Sequence, residues 1–459
     1  MSGRLEQLVL NLPHPLREAA ANFKSWQLNR LRRGGDWAAY LAANRFQRYF
    51  VTSWEELRAE QDRRLAQLLE RAIRQVPYYH AYPLVKRVDD LGQLPLLAKS
   101  QVRAAGTGLY DQVLIRDHHY TGHTSGSTGT PLVFKWTLDT LRTRFAMRDN
   151  FYAFYGCHPE TEYNIRLGGR LFMPPAQNRP PFWITDRVSR QLMFSLYHMS
   201  EAALQSFLPV VNQVQPTFVT GYPSAVHTLA EFCLHEGSAF RPRAVFTDSE
   251  TVLDYQRDTV RAAWGCEIHD YYGMEAGWLA GQCPQGQYHL SPLTSIVELL
   301  DEEDRPQVPG EVGEIVVTDL VNPLMPLIRY RTGDAGIWSS TPCGCGWQTP
   351  TLERIEGRMD DVVILPNGRK IGRLDHIFKA ASNIRECQII QETPSEFTFL
   401  VVPEEGYSDT IQQKLLAEAY ARLGQDVTIN IQQVAAIERT SRRKFRSVIS
   451  KVSQQRDRQ

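Results

Sequence analysis

Apolar residues in the first hundred positions recur at helical spacing. Leu65, Leu68, Leu69, Ala72, Ile73 and Val76 fall on one face of a helix, which Pro77 stops. Ser53 with Glu56 three residues later forms a capping-box signature ahead of that run. From about residue 110, short apolar runs alternate with longer helical stretches, the pattern of α/β layers. Residues 173–183 read as a Pro-rich loop, 244–248 (AVFTD) and 314–320 (EIVVTDL) as strands, and a boundary falls near Glu356–Asp361. Beyond it, an apolar VVIL runs into Asn367-Gly368, a hairpin turn signal. Strand-like ECQII and FTFLVV follow, then an amphipathic helix within 409–423 and a last strand near 426–434. The pattern predicts a large, multi-layer α/β part with a helical preamble, residues 1–356, and a small α/β unit, residues 357–459.

Composition narrows the function classes. The 51 Lys and Arg balance 51 Asp and Glu, which disfavours a nucleic-acid binder that relies on counterion release. No apolar run reaches the length of a transmembrane helix and the N-terminus lacks a secretory pattern, so a cytoplasmic protein is expected. Seven cysteines are too few and odd in number for a disulfide framework. Residues 1–50 carry eight cations against three acids, which reads as a solvated helical face or as a docking surface for a membrane or an acidic partner.

The chemistry begins at Thr124-Ser125-Gly126-Ser127-Thr128-Gly129-Thr130-Pro131. Glycine lets backbone amides approach a ligand closely, and the hydroxyls add donors suited to phosphate oxygens. The Gly-Lys-Ser/Thr ending of a Walker loop is absent. With the preceding His123, this stretch resembles the phosphate loop of the adenylate-forming superfamily of acyl-CoA ligases, adenylation domains and luciferases, in its phenylacetate–CoA ligase-like and capsule-associated branch. Leu132 stands where many members carry Lys.

Further segments resemble that superfamily in the same order. The resemblance of Tyr271-Tyr272-Gly273-Met274-Glu275 implies an aromatic ring on adenine and a Glu275 carboxylate on Mg²⁺; the Tyr-Gly pair would select Tyr272, but the carboxylate a hard cation needs favours Glu275 as anchor and so Tyr271. Ser249-Glu250 matches the adenine pocket, and Tyr222-Pro223-Ser224 the start of a substrate-pocket helix, with Phe246 as further aromatic lining. In RYRTGD (329–334), Asp334 matches the carboxylate that accepts both ribose hydroxyls, a task two carboxylate oxygens suit. In GRMDD (357–361), Arg358 matches a nucleotide contact and Asp360 the hinge of a mobile C-terminal domain. Near the end, Lys444 matches the catalytic lysine, whose ammonium would offset charge as a carboxylate attacks the α-phosphate.

Cys283, His289, Cys343 and Cys345 make a three-thiolate, one-imidazole set suited to a structural Zn²⁺. The resemblance implies a two-domain enzyme using Mg-ATP and a carboxylic acid. It would pass an acyl-adenylate to coenzyme A, or to an amine or carrier protein, or transfer AMP to a hydroxyl. Two other classes stay open: a non-catalytic nucleotide-binding scaffold, and a peripheral membrane or assembly protein.

Overall fold

The computed structural model describes residues 9–123, 132–174, 176–274, 277–358, 363–366, 370–371, 374, 377, 383–439 and 445–452. They group into two compact units: one within Met1–Val297, Val316–Arg331 and Thr341–Thr351, the other within Glu298–Ile315, Thr332–Ser340 and Leu352–Gln459. The result is a mixed α/β architecture with a large multi-stranded sheet and a separate smaller sheet.

The helical preamble contains His14–Arg32 and Trp54–Gln75. The second helix starts at the expected capping box, Ser53 and Glu56 satisfying each other's backbone N–H groups, and Leu57, Leu65, Leu68, Leu69 and Ala72 are buried along it. The first helix has two unlike faces. His14 and Asn22 hydrogen-bond to the carbonyls of Trp183 and Thr185, and Ser25 donates to Asp186. About half a turn away, Leu16, Phe23 and Trp26 are exposed.

In the first unit, strands Ile268–Met274, Ala244–Thr247, Phe218–Gly221, Asn164–Leu167 and Gln191–Phe194 lie side by side and parallel, with Trp183–Asp186 antiparallel at the edge. Parallel strands covered on both faces are apolar on both faces, and alternation sorts their side chains into two cores. Ile165, Val219, Val245 and Ile268 pack with the helices Glu201–Val214, Pro223–His235 and Asp254–Trp264. Phe218 and Phe246 point the other way, toward Met147, Phe151 and Tyr152 of helix Leu138–Phe154.

Asp270 is held in this sheet, accepting from the Thr247 hydroxyl at 2.6 Å and the Tyr288 hydroxyl at 2.6 Å. Burial outweighs those hydrogen bonds and pushes its carboxyl from 3.8 up to about 7, and burial does the same to Asp319. Between these pH values the folded chain keeps protons that the unfolded chain has released. The stability each residue contributes is therefore full below about pH 4 and is lost as pH rises to about 7. Thermal unfolding followed from pH 5 to 7.5 is expected to show a falling midpoint, with a shallower fall in Asp270→Asn; equal slopes would contradict this.

The second unit includes an antiparallel pair, Tyr330–Trp338 with Thr351–Arg358. It also contains a four-stranded sheet ordered Thr428–Gln433, Glu396–Pro403, Ile384–Thr393, Val448–Ser450. Helix Asp409–Leu423 packs on this sheet through Leu415, Ala419 and Leu423. The hairpin expected around Asn367-Gly368 has its two short strands, Val363–Ile364 and Lys370–Ile371, paired antiparallel. The strand near 426–434 is present but is not the last: Val448–Ser450 pairs parallel with Ile384–Thr393.

Candidate active site

Parallel α/β sheets place ligands at the carboxyl ends of their strands, where the chain turns outward. In the first unit those ends are Leu167-Gly168, Gly221-Tyr222, Thr247-Asp248-Ser249 and the region of Tyr271-Tyr272. Gly221 permits the tightest approach: a Cβ there would sit 2.3 Å from the Leu167 carbonyl. The Tyr222 N–H donates to that same carbonyl at 3.0 Å. Pro223 then opens helix Pro223–His235 at its first turn, where a missing N–H costs nothing. Glu250 supplies the cap from another strand, accepting from the Ser224 backbone N–H at 3.0 Å. The structure thus joins Tyr222-Pro223-Ser224 to Ser249-Glu250.

Ser249 turns the chain at φ 74°, a left-handed conformation that a non-glycine residue adopts at a cost. Its hydroxyl donates to Asp248 at 2.5 Å. Asp248 also accepts from the Tyr271 hydroxyl at 2.9 Å and lies 3.6 Å from the Arg166 guanidinium. Burial first, then the Asp248 charge, raises the Tyr271 phenol well above its ordinary value, and the same two causes raise Tyr222. Both stay protonated donors at neutral pH. Asp248 and Arg166 belong to none of the motifs read from the sequence; position at a strand end was the signal that could have found them.

The two tyrosines of the 271–275 segment differ in surroundings. Tyr271 stacks on Trp278 at 4.7 Å and 11°, with Phe151 edge-on at 5.9 Å. Tyr272 is half-buried and Gly273 exposed. Phe246 corrects an expectation: it is 0% exposed, with Tyr152 at 4.4 Å and Phe151 at 5.7 Å. Alternation along its strand sends it into the aromatic core rather than to a pocket wall.

In the second unit, register does the assembling. Asp334 lies directly opposite Arg358 in the antiparallel pair, 24 positions apart in sequence. Gly333 takes φ 73° just before it, and the Asp334 N–H is held by the Thr332 hydroxyl at 2.9 Å. Asp334 is half-exposed. Thr124, Ser125, Gly126, Ser127, Thr128, Gly129, Glu275, Asp360 and Lys444, and the side chain of Arg358, lie outside the described residues.

The first unit also brings Cys283, His289, Cys343 and Cys345 together, with one ligand atom from each within 4.8 Å of the others. Cys283 and Cys343 sulfurs are 3.7 Å apart, and Cys345 Sγ is 3.2 Å from His289 Nε2. A tetrahedral zinc with Zn–S about 2.3 Å and Zn–N about 2.0 Å requires separations of about 3.8 and 3.5 Å. The donor set fits. The other ring nitrogen, His289 Nδ1, is 3.1 Å from the Thr349 hydroxyl, which orients the imidazole. Burial lowers His289 to about 4, keeping it neutral as a ligand must be, and pushes the Cys283 thiol up to about 12, so three thiolates here call for a cation.

The fold is one shared with adenylate-forming ligases, and the sequence is similar to members of that group. Residues 363–451 match the family model described as the CapK C-terminal domain. The chain is 24% identical over 378 residues to protein CapK of Staphylococcus aureus, covering 80% of this chain and 81% of that one. It is 25% identical to a phenylacetate–coenzyme A ligase of Thermus thermophilus, over 68% of this chain and 72% of that one. Among solved structures, 2-hydroxyisobutyryl-CoA ligase in the postadenylation state with R3-HIB-AMP superposes at TM-score 0.71 and 19% identity, covering 90% and 93% of the two chains. Over most of its length the chain is thus similar to CapK and to phenylacetate–CoA ligases, and its fold is that of a CoA ligase.

Proposed function

We propose that the protein activates a carboxylic acid as an acyl-adenylate, releasing pyrophosphate, and passes the acyl group to coenzyme A. What supports this is that in one unit Asp334 lies opposite Arg358, and that in the other the strand ends gather Tyr222, Ser224, Ser249 and Glu250. Glu275 as anchor favours Tyr271 as the ring for adenine, but Tyr271 is already engaged by Trp278 and Asp248, so we assign the adenine platform to Tyr272 instead. Asp334 holds the ribose diol and Arg358 the nucleotide. The hydroxyl loop 124–130 grips the phosphates, and Glu275 carries the Mg²⁺ that accompanies ATP.

A carboxylate oxygen of the acid attacks the α-phosphorus and pyrophosphate leaves. Lys444 offsets the charge that builds on the phosphate oxygens. The backbone at Asp360 then turns, withdrawing Lys444 and admitting the thiol of coenzyme A, whose sulfur attacks the acyl carbon and expels AMP. Zinc, held by Cys283, His289, Cys343 and Cys345, is structural in this account, because four protein ligands leave no open position.

The test is pyrophosphate release over a panel of carboxylic acids, with coenzyme A, simple amines or hydroxylamine as acceptor. Acid-dependent release with thioester as the product is expected. Release with amide formation but no thioester would transfer the reading to an amine acceptor, as in the amide bond synthetase McbA of Marinactinospora thermotolerans, a neighbour at TM-score 0.51 and 16% identity.

A further inference from the structure

Arg166 is the penultimate residue of the strand Asn164–Leu167, in register with Met193 on one side and with Thr220 on the other, two positions before Gly168. Leu167 and Ile165 enter the helix-covered core, so Arg166 faces the opposite side, toward helix Leu138–Phe154. A charged side chain is unusual there, since the neighbouring positions on this face, Phe218 and Phe246, are aromatic core. Its one ion pair is the 3.6 Å approach to Asp248, which is longer than a hydrogen bond, and among the described residues its guanidinium donates none. Five N–H donors in a fixed fork are thus oriented by Asp248 without being used. Gly168 leaves the room: a Cβ there would come within 3.1 Å of Arg166 Nε.

The surroundings carry surplus positive charge. Arg148 hydrogen-bonds to Asp149 at 2.8 Å, and its guanidinium lies 5.7 Å from the Tyr152 ring and 4.5 Å from the Phe145 ring. Arg33 shares the same Asp149 at 2.7 Å. Arg32 lies 4.6 Å from the Phe145 ring, with its Nε buried and without a hydrogen-bond partner. Among the described residues, Arg148 and Arg33 thus share the single carboxylate of Asp149, Arg166 approaches Asp248, and Arg32 lies beside them as an additional cation. An excess of cations in a half-buried place is stabilised by an incoming anion.

We propose that Arg166 recognises a second anionic oxygen group on the acid, a carboxylate or a phosphate ester, distal to the carboxylate that becomes adenylated. This rests on the proposed activation of a carboxylic acid and assigns the class of its substrate. Asp248 positions the guanidinium and Tyr271, bonded to the same carboxylate, fixes that geometry. A planar fork meets either anion through paired N–H donors. Acids lacking the second group would cover the guanidinium without supplying its N–H donors an acceptor, which is the basis of discrimination.

The experiment compares pyrophosphate release for matched acids: an arylacetic or short aliphatic acid, the same skeleton with a distal carboxylate, and the same skeleton with a distal phosphate ester. At least one doubly anionic acid is expected to exceed its neutral counterpart in kcat/KM by about 10- to 100-fold. Arg166→Gln is expected to raise KM for that acid by a similar factor, moving KM for ATP less than about twofold, and Arg166→Lys to restore part of the loss. A preference for neutral acids in the wild type, or an Arg166→Gln effect confined to ATP, would overturn the assignment while leaving acid activation intact. No release with any acid would instead fail the parent reading. A Gln variant that does not fold leaves the wild-type acid preference and the Lys variant to decide.

Discussion

Alanine in place of Lys444 is expected to slow acid-dependent pyrophosphate release by about 10²- to 10³-fold, or roughly 2.7–4 kcal/mol of barrier, the scale of losing one preorganised donor to a developing oxyanion. KM for ATP should move little if, as proposed, the phosphate loop, Asp334 and Arg358 hold the nucleotide. Arg443→Ala is the control: if the tail were merely a solvated basic stretch, both changes would have similar, small effects. The chain on either side of residues 440–444 is anchored to one strand. Arg439 pairs with Glu386 and lies 4.5 Å from the Phe445 ring, while Gln388 donates to the Arg446 carbonyl at 2.8 Å. Flanking residues anchored to one strand move with that sheet, as the chemistry requires of the neighbourhood of a residue used in one half-reaction and withdrawn for the next. Turnover of Lys444→Ala within a few-fold of the wild type would remove it from the reaction.

The second large effect concerns the cysteine–histidine cluster. Purified protein is expected to contain about one zinc per chain, and stripping it should destabilise the fold by about 4 kcal/mol when the free metal stood a thousandfold above its dissociation constant. The cost falls on a specific joint. The turn at Cys283 is closed by the Gly286 N–H on the Cys283 carbonyl at 2.8 Å, and residues 343–347 lie against it through Trp347, whose ring is 4.9 Å from that of His289. Phe46 and Phe50 pack on the same indole at 5.4 and 5.6 Å. Metal loss would therefore loosen an aromatic core as well as a loop. Cys345→Ser should lose both the zinc and the stability. Metal-free protein with an unchanged unfolding midpoint would show that the cluster is only a group of neighbouring thiols.

What the sequence made legible was local or strongly ordered. The Ser53–Glu56 cap is a three-residue signal and appeared as read. The helix Asp409–Leu423 and the strands Ile384–Thr393 and Glu396–Pro403 announced themselves through periodicity. The odd C-x5-H and C-x-C spacings still converged, because their ligands come from chain segments that the fold apposes. Other features depended on long-range pairing. Val448–Ser450 is three residues long and is a strand only because Ile384–Thr393 lies beside it, almost sixty positions away. Phe246 read as pocket lining because its aromatic character was visible and its burial partner was not. Arg166 and Asp248 are 82 positions apart and belong to no motif; parallel strands on either side of Phe218–Gly221 bring them together.

The central claim is that a carboxylate oxygen of the substrate attacks the α-phosphorus of ATP. An acid labelled with ¹⁸O in its carboxylate, chosen from the release panel and turned over with coenzyme A, tests it most directly by the mass of the AMP formed. One ¹⁸O per AMP is predicted, because the bridging oxygen stays with phosphorus when the acyl group departs. Unlabelled AMP, or label appearing in inorganic phosphate alongside ADP, would contradict the account.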